Sequence, residues 1–344
     1  MVIGDLTSTI PFKVPEVVPT ARGVLRGFPN VRIETCDSKG TSGGYQTCAR
    51  RAITEKVAGV IQGFVTARDQ TALTRAGIPV VGVSDDTSPN SFPVSSSFAL
   101  YVSLGVGLAE TGCTRLGIVY LDGSDFLVDY IKRGFESRGG KEVARAPVAA
   151  NAADLSPAVA KLTGAGATCV AVSLVPSGAA QALTALRQSG RTLTIGGISA
   201  IFNEDLLSSL GSLADGLIVV DSQLNSHDSD AAGIGQVRAD ARAVDSKTKI
   251  TEQAVVAWIA ARLVANALRS TSGEVTPASL TTALNGLRGV DLAGVVPPWT
   301  SQPLDNPSFR RVFNHYGVNY EISGGGKAVR QGEFYDIAPI LRTK

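Results

Sequence analysis

Two histidines, His227 and His315, are the whole imidazole inventory of this 344-residue chain, so proton-shuttling chemistry has few places to occur. His227 falls in a polar connection, Asn225-Ser-His-Asp-Ser-Asp230, and His315 at the end of an apparent late strand. Both read as surface or packing residues. One nucleophile pattern matches, Gly40-Thr41-Ser42-Gly43-Gly44, with Ser42 as the attacking hydroxyl. It lies several residues past a strand end, where the strained turn of a nucleophile elbow cannot form. A Gly/Ser loop with Ser42 near a helix N-cap explains it better. Gly324-Gly-Gly-Lys327 lacks the upstream glycine and the Ser/Thr of a phosphate-binding loop, and reads as a turn. Gly105 and Gly107 lie inside a helical pattern rather than after a strand, so they make no dinucleotide fingerprint. No carboxylate–histidine cluster implies a metal, and no cofactor is expected. The chain reads as a protein without catalysis of its own.

What remains is a set of polar turns at the ends of apolar runs. Thr7-Ser-Thr9, Gly63-Phe-Val-Thr66 and Ser84-Asp-Asp-Thr-Ser-Pro89 lie in the first third of the chain. Asp122-Gly-Ser-Asp-Phe126, Val175-Pro-Ser-Gly178 and Ser199-Ala-Ile-Phe202 lie in the second. Each offers hydroxyls and backbone N–H groups where a helix begins, an arrangement that favours a carboxylate or another anion. Ordinary helix capping accounts for any single turn. The set points further, to Thr9, Thr66, Ser84, Asp85, Thr87, Ser177 and Ser199 as ligand contacts, with Phe64, Phe126 and Phe202 as an apolar wall.

The elements that must carry these turns alternate strand and helix. Strand-like runs occur at Val2–Leu6, Val31–Cys36, Gly59–Gln62, Pro79–Val83 and Phe92–Ser95, with helical patterns near 12–28, 43–56, 67–76 and 98–111. The rhythm restarts with runs at 116–121, 143–149, 169–174, 193–197 and 216–220, and helices near 125–138, 154–164, 178–189 and 203–210. Runs that are almost wholly apolar, such as Val170-Ala-Val-Ser-Leu174, suit parallel strands covered on both faces. After Asp221 the chain turns helical to about Val244, then over Glu252–Leu268 and Pro277–Leu287. It closes with strand-like pieces at Phe309–His315, Asn319–Ile322 and Glu333–Ile337. The expected fold class is α/β: two doubly wound Rossmann-like lobes in succession, with a tail that returns to them and a ligand cleft between them.

Bulk properties narrow the classes. The chain is 44% hydrophobic and 18% charged, with a net charge of +2, as in a globular α/β protein. No basic run interleaved with aromatics suggests nucleic acid, and no apolar stretch approaches the ~18 residues of a bilayer span. The opening already reads as a strand and shows no leader pattern, so the compartment is either cytosolic or reached by a leader that this sequence lacks. The four cysteines arbitrate. Cys36 ends a strand-like run and Cys48 follows in the next helix; a link between them would close a short loop, worth about 3 kcal/mol. Cys113 and Cys169 each precede or begin an apolar run, and in a sheet of order 2-1-3-4-5 those runs are parallel neighbours. Four buried free thiols are the alternative. Two disulfides are the preferred reading, which tilts the protein toward an oxidising compartment.

Several segments together resemble the leucine/isoleucine/valine-binding branch of the ABC-transporter solute-binding proteins, with the type I periplasmic-binding fold. They are Ala58-Gly-Val-Ile-Gln-Gly63, Ala76-Gly-Ile-Pro-Val80 leading to Thr87-Ser-Pro89, Leu116 to Phe126, and Gly164 to Val172. The resemblance implies two lobes joined by a three-crossing hinge that close on a small polar ligand, an amino acid or related carboxylate, and deliver it to a membrane permease. It implies an extracytoplasmic monomer, with one lobe formed by residues 1–112 and 228–318 and the other by 113–227 and 319–344. Thr66 and Thr87 would hold the ligand's polar head, Phe126 stands near a frequent tyrosine, and Ser199 falls in a turn that often carries a polar contact. The sequence departs from the family at Thr66-Ala67-Arg68, where a serine-rich turn is usual, and at Asp85-Asp86. Asp85 would then meet a cationic group, or Arg68 a carboxylate. A ligand-sensing receptor on the same fold is the alternative, and a serine hydrolase using Ser42 the least favoured.

Overall fold

A computed structural model describes residues 1–8, 13–96, 98–228 and 230–342. The chain divides into two units: residues 1–97 with 224–314, and residues 98–223 with 315–344. The first 97 residues carry β1 (Val2–Gly4), α1 (Val17–Leu25), β2 (Thr35–Asp37), α2 (Ser42–Thr54), β3 (Val60–Gln62), α3 (Thr71–Arg75), β4 (Val80–Gly82) and β5 (Ser91–Pro93). Then follow α4 (Ala99–Glu110), β6 (Arg115–Leu121), α5 (Asp125–Glu136), β7 (Lys141–Val148), α6 (Ser156–Gly164), β8 (Cys169–Ser173), α7 (Pro176–Gln188), β9 (Thr194–Ile198), α8 (Glu204–Leu210) and β10 (Leu217–Asp221). The tail adds α9 (Ala232–Arg242), α10 (Glu252–Ser270), α11 (Pro277–Asn285), β11 (Tyr316–Ser323), β12 (Lys327–Asp336) and α12 (Ala338–Arg342).

In the first unit the strands pair in the order β2-β1-β3-β4-β5, all parallel. Val2, Ile3, Val60, Ile61, Val80 and Val81 are buried, as a sheet covered on both faces requires. Helix α10 is apolar almost all round because it is buried almost all round, against α1, α9, β3 and β4. The indole of its fully buried Trp258 is satisfied: it donates to Asp240 at 2.9 Å, and that carboxylate also pairs with Arg26. Caps set the helix starts, with Thr41, Thr251 and Thr276 each accepting a first-turn N–H.

The second unit pairs its strands in the order β12-β11-β10-β9-β8-β6-β7. Strands β6 to β10 are parallel, and β11 and β12 form an antiparallel hairpin added at the β10 edge. Gly324, Gly325 and Gly326 make the hairpin turn, all at positive φ, so that glycine run is a turn, as its context implied. Helix α4 belongs to this unit rather than to the 1–112 lobe expected from sequence. A Cβ on Gly105 would lie 2.0 Å from the Ile131 carbonyl, and one on Gly134 2.0 Å from that of Val102. Glycines thus let α4 and α5 approach backbone to backbone, which is the use of Gly105 that the sequence left open.

Both cysteine pairs are joined. Cys36–Cys48 ties β2 to α2 with Cα atoms 5.6 Å apart, and Cys113–Cys169 spans 6.1 Å. The register Leu116↔Cys169 brings the leading ends of β6 and β8 together, which puts Cys113 within reach. One expected strand is absent: 309–315 is not paired in a sheet. A short 3-10 turn ends at Phe309, after which side chains replace the ladder. Arg311 Nε donates to the Ser91 carbonyl at 2.8 Å, and Asn314 Nδ2 to that of Val94 at 3.0 Å.

Candidate functional site

The carboxyl ends of β1, β2, β3 and β4 carry loops bound together by aspartates. Asp5, fully buried, accepts from Ser38 Oγ at 2.5 Å and Gly40 N at 3.0 Å through one oxygen. Its other oxygen accepts from Thr66 N and Thr66 Oγ1, both at 2.7 Å. Asp37 accepts from the N–H groups of Leu6 and Lys39 at 2.9 Å and from the Thr7 hydroxyl. Burial opposes its ionisation, but these bonds outweigh burial and hold its carboxyl below the ordinary range. Asp85 behaves likewise. It accepts from Thr87 N at 2.9 Å, Ser88 N at 2.6 Å and Ser91 Oγ at 3.1 Å, and its carboxyl is lowered despite partial burial.

Behind these loops, Tyr45 donates to Gln62 Oε1 at 2.8 Å, and Gln62 Nε2 donates to the Val83 carbonyl. Phe64 N donates to Gln253 Oε1 at 3.1 Å, so the start of α10 meets the end of β3. Arg311 fastens the 85–91 loop from outside. Its N–H donates to the Asp86 carbonyl at 2.9 Å, and its guanidinium lies 4.5 Å and 4.6 Å from the ring centres of Phe92 and Phe313. Burial pushes that guanidinium down to about 10, against the attraction of Asp85.

The sequence-derived residues thus fall into groups. Thr66, Ser84, Asp85 and Thr87 share the β3 and β4 ends with half-buried Phe64, but Thr66 and Thr87 both give their hydroxyl protons to neighbouring aspartates. Ser84 is 4% exposed, and its hydroxyl has no hydrogen-bond partner among the described residues. Arg68, exposed beside Thr66, makes no ion pair or hydrogen bond among the described residues. Thr9 lies outside the described residues. Ser42 is exposed at the start of α2, where Thr41 is the capping residue.

In the second unit Phe126 is 49% exposed on the first turn of α5, whose start is pinned by a 2.8 Å bond from Tyr120 Oη to Asp125. Ser177 is exposed on the first turn of α7, and Ser199 is nearly buried just past β9. Phe202 is a correction. It is 1% exposed and packs over Gly197, where a Cβ would come within 2.4 Å of its ring. It is core, not wall. Phe98, which sequence reading passed over, is the exposed aromatic instead, with its ring edge-to-face on Phe126 at 5.5 Å.

Sequence reading also missed Asp5 and Gln253. Asp5 follows a strand directly, which is the available signal, whereas the Gln253–Phe64 contact spans 189 residues. His315 packs on Tyr316 and bonds Asp336 at 2.7 Å, at the base of the β11–β12 hairpin of the second unit. Each unit also holds a cavity away from its own strand-end loops. An apolar one of about 330 Å³ lies at the amino ends of β1 and β3, and another of about 620 Å³ is lined by Glu110, Glu321 and Tyr335. Among the described residues no cluster of His, Cys, Asp and Glu has the makings of a metal site.

Residues 19–310 match the sequence profile of the family described as periplasmic binding protein. Among curated proteins, none matches the chain. Solved structures do. A solute-binding protein of an ABC transporter from R. palustris, in complex with 4-hydroxybenzoate, superposes with a TM-score of 0.73 at 17% identity over 97% of this chain and 96% of its own. A fatty acid ABC transporter substrate-binding protein from Thermomonospora curvata gives 0.74 at 16% over 98% and 92%. A leucine-binding protein from Thermotoga maritima gives 0.70 at 15% over 97% of each chain.

Proposed function

This chain belongs to the periplasmic binding protein family, the solute-capturing components of ABC importers, and from that premise we propose that it binds a small carboxylate whose remainder is apolar. Proteins of this family carry out no chemistry on their ligand; they hold it outside the cytoplasm and deliver it to a membrane permease. Among the described residues no helix is long and apolar enough to cross a membrane.

The observation that carries the carboxylate assignment is a charge imbalance at the strand ends of the first unit. Asp5, Asp37 and Asp85 each hold several donors from the strand-end loops of this unit. Arg68 stands exposed beside Thr66 without an acidic partner among the described residues. An acid already holding several donors has less acceptor capacity left for a ligand, whereas an unpaired guanidinium offers a fork that fits a carboxylate. The relatives' printed ligands, 4-hydroxybenzoate, fatty acid and leucine, share a carboxylate on an apolar body. An amino acid is one member of that class. We further propose that the chain acts as a monomer.

The test is a thermal-shift screen of acids against their matched amides: benzoate with benzamide, leucine with leucinamide, octanoate with octanamide. At least one acid is expected to raise the unfolding midpoint while its amide does not. Equal shifts for acid and amide in every pair would refute the carboxylate assignment.

A further inference from the structure

The first unit holds an apolar cavity of about 330 Å³ where β1 and β3 begin, at the edge of the sheet opposite the strand-end loops. Leu25 closes it from α1, Val57 from the turn after α2, Val81 from β4, Val264 and Leu268 from α10, and Leu280 from α11. Protein interiors leave few voids much larger than a water molecule, so a space of this size needs a physical reason to stay open. The walls supply one. The strands are fixed by their ladders, β1 to β3 and β3 to β4, and α10 packs along β3 and β4. Leu280 already stands so close to Gly59 that a Cβ there would come within 2.7 Å of it. Helix α11 therefore has little room to settle further onto β3.

The polar groups at the mouth, Asn30, Arg32, Glu34 and Glu55, decide what can enter. The charges there cancel. Glu34 takes Arg32 and Arg51, each at 3.0 Å, and Glu55 takes Arg51 at 2.6 Å. Backbone donors around the cavity are bonded as well. Val2 N goes to the Glu34 carbonyl at 2.7 Å, Val57 N to Ala52 at 3.1 Å, Val60 N to Pro79 at 2.8 Å and Ile61 N to Met1 at 2.9 Å. An ion brought here would lose hydration and find its natural partners already paired, which is costly. An apolar molecule meets no such penalty and gains the burial.

We propose that this cavity is a second binding site, separate from the carboxylate site, which takes an uncharged apolar molecule of one or two aromatic rings. A dry aliphatic cavity of about 150 Å³ accommodates benzene, and this one is about twice that size. Val31, Val57 and Leu268 are only half-buried and Val275 is 36% exposed, so the way in is open and itself apolar. Occupancy covers these side chains and ties the amino ends of β1 and β3 to α10 and α11, which stabilises the first unit.

Toluene is the probe, with benzylammonium and benzoate as charged comparators. The native chain is expected to bind toluene, read as a raised unfolding midpoint and as shifts of the Val57, Val264 and Leu280 methyl resonances. Val57→Phe and Val264→Phe each put a ring into the cavity and are expected to weaken toluene binding about 10-fold or more. Val57 stands half-buried at the mouth, so its variant decides the matter even where Val264→Phe fails to fold. Benzylammonium is expected to leave the three methyl groups unshifted, and benzoate is expected not to displace toluene. Methyl shifts from benzylammonium equal to those from toluene would overturn the uncharged class. No toluene binding, unchanged toluene affinity in Val57→Phe, or displacement of toluene by benzoate would each overturn the second site, and all three leave the carboxylate reading standing.

Discussion

The Asp5 carboxylate takes both the backbone N–H and the hydroxyl of Thr66, residues 61 positions apart, each at 2.7 Å. Its other oxygen holds Ser38 and Gly40. One buried acid therefore sets the spacing of three loops at the strand ends of the first unit. Replacing it by asparagine keeps the size but turns one of its two oxygens into an amide donor facing a backbone N–H, of Gly40 or of Thr66. Asp5→Asn is expected to destabilise the chain by about 2 kcal/mol, since buried donors lose their acceptor. Urea unfolding measures this; a change under about 0.5 kcal/mol would show that the loops do not depend on the carboxylate.

Arg68 is assigned to the ligand rather than to the fold. Arg68→Gln is expected to weaken binding of the cognate acid about 10-fold, with unfolding little changed because the side chain is exposed and makes no ion pair or hydrogen bond among the described residues. Calorimetry on the acid identified by the thermal-shift screen decides it. Unchanged affinity would remove Arg68 from the site.

The two disulfides close loops of 12 and 56 residues. Chain entropy assigns them about 3 and about 4 kcal/mol respectively. Replacing Cys113 and Cys169 together by alanine is expected to cost more than replacing Cys36 and Cys48. Thiol titration of the unfolded, unreduced protein is expected to find no free thiol, and four free thiols would contradict the pairing.

Asp37 and Asp85 have carboxyls held below the ordinary range, burial being outweighed by donated bonds. As pH falls below about 4 the unfolded chain takes up these protons first. The stability they contribute is therefore fully present above the unfolded value and is lost as pH falls through the folded one. Urea midpoints measured from pH 5 to pH 3 are expected to drop, and to drop less in the Asp37→Asn, Asp85→Asn double variant. An identical pH slope in native and variant chains would sink this account.

Much of the sheet order was legible because parallel strands covered on both faces are short apolar runs, and Val60-Ile-Gln62 or Val170-Ala-Val172 admit little else. The site was only half legible. Residues that follow strands announced the loops, but what each side chain does there depends on partners far along the chain. Thr66 reads as a ligand contact in the sequence, but that its hydroxyl proton goes to Asp5 is visible only in the fold. Phe202 looked like wall because it follows a strand, yet Gly197 leaves a hole that the ring fills. The 309–315 segment has strand-like residues but spends Arg311 and Asn314 on carbonyls of 91 and 94. Helix α4 sorted with α5 through two glycines whose role only a neighbour's backbone reveals.

The most direct test is titration of the purified chain with benzoate, leucine and octanoate, followed by recovery of the ligand. Saturable heat at one site per chain for at least one of them, with the acid returned chemically unchanged, is the predicted result. An acid converted to product, or no saturable heat from any of the three up to millimolar concentration, would contradict it.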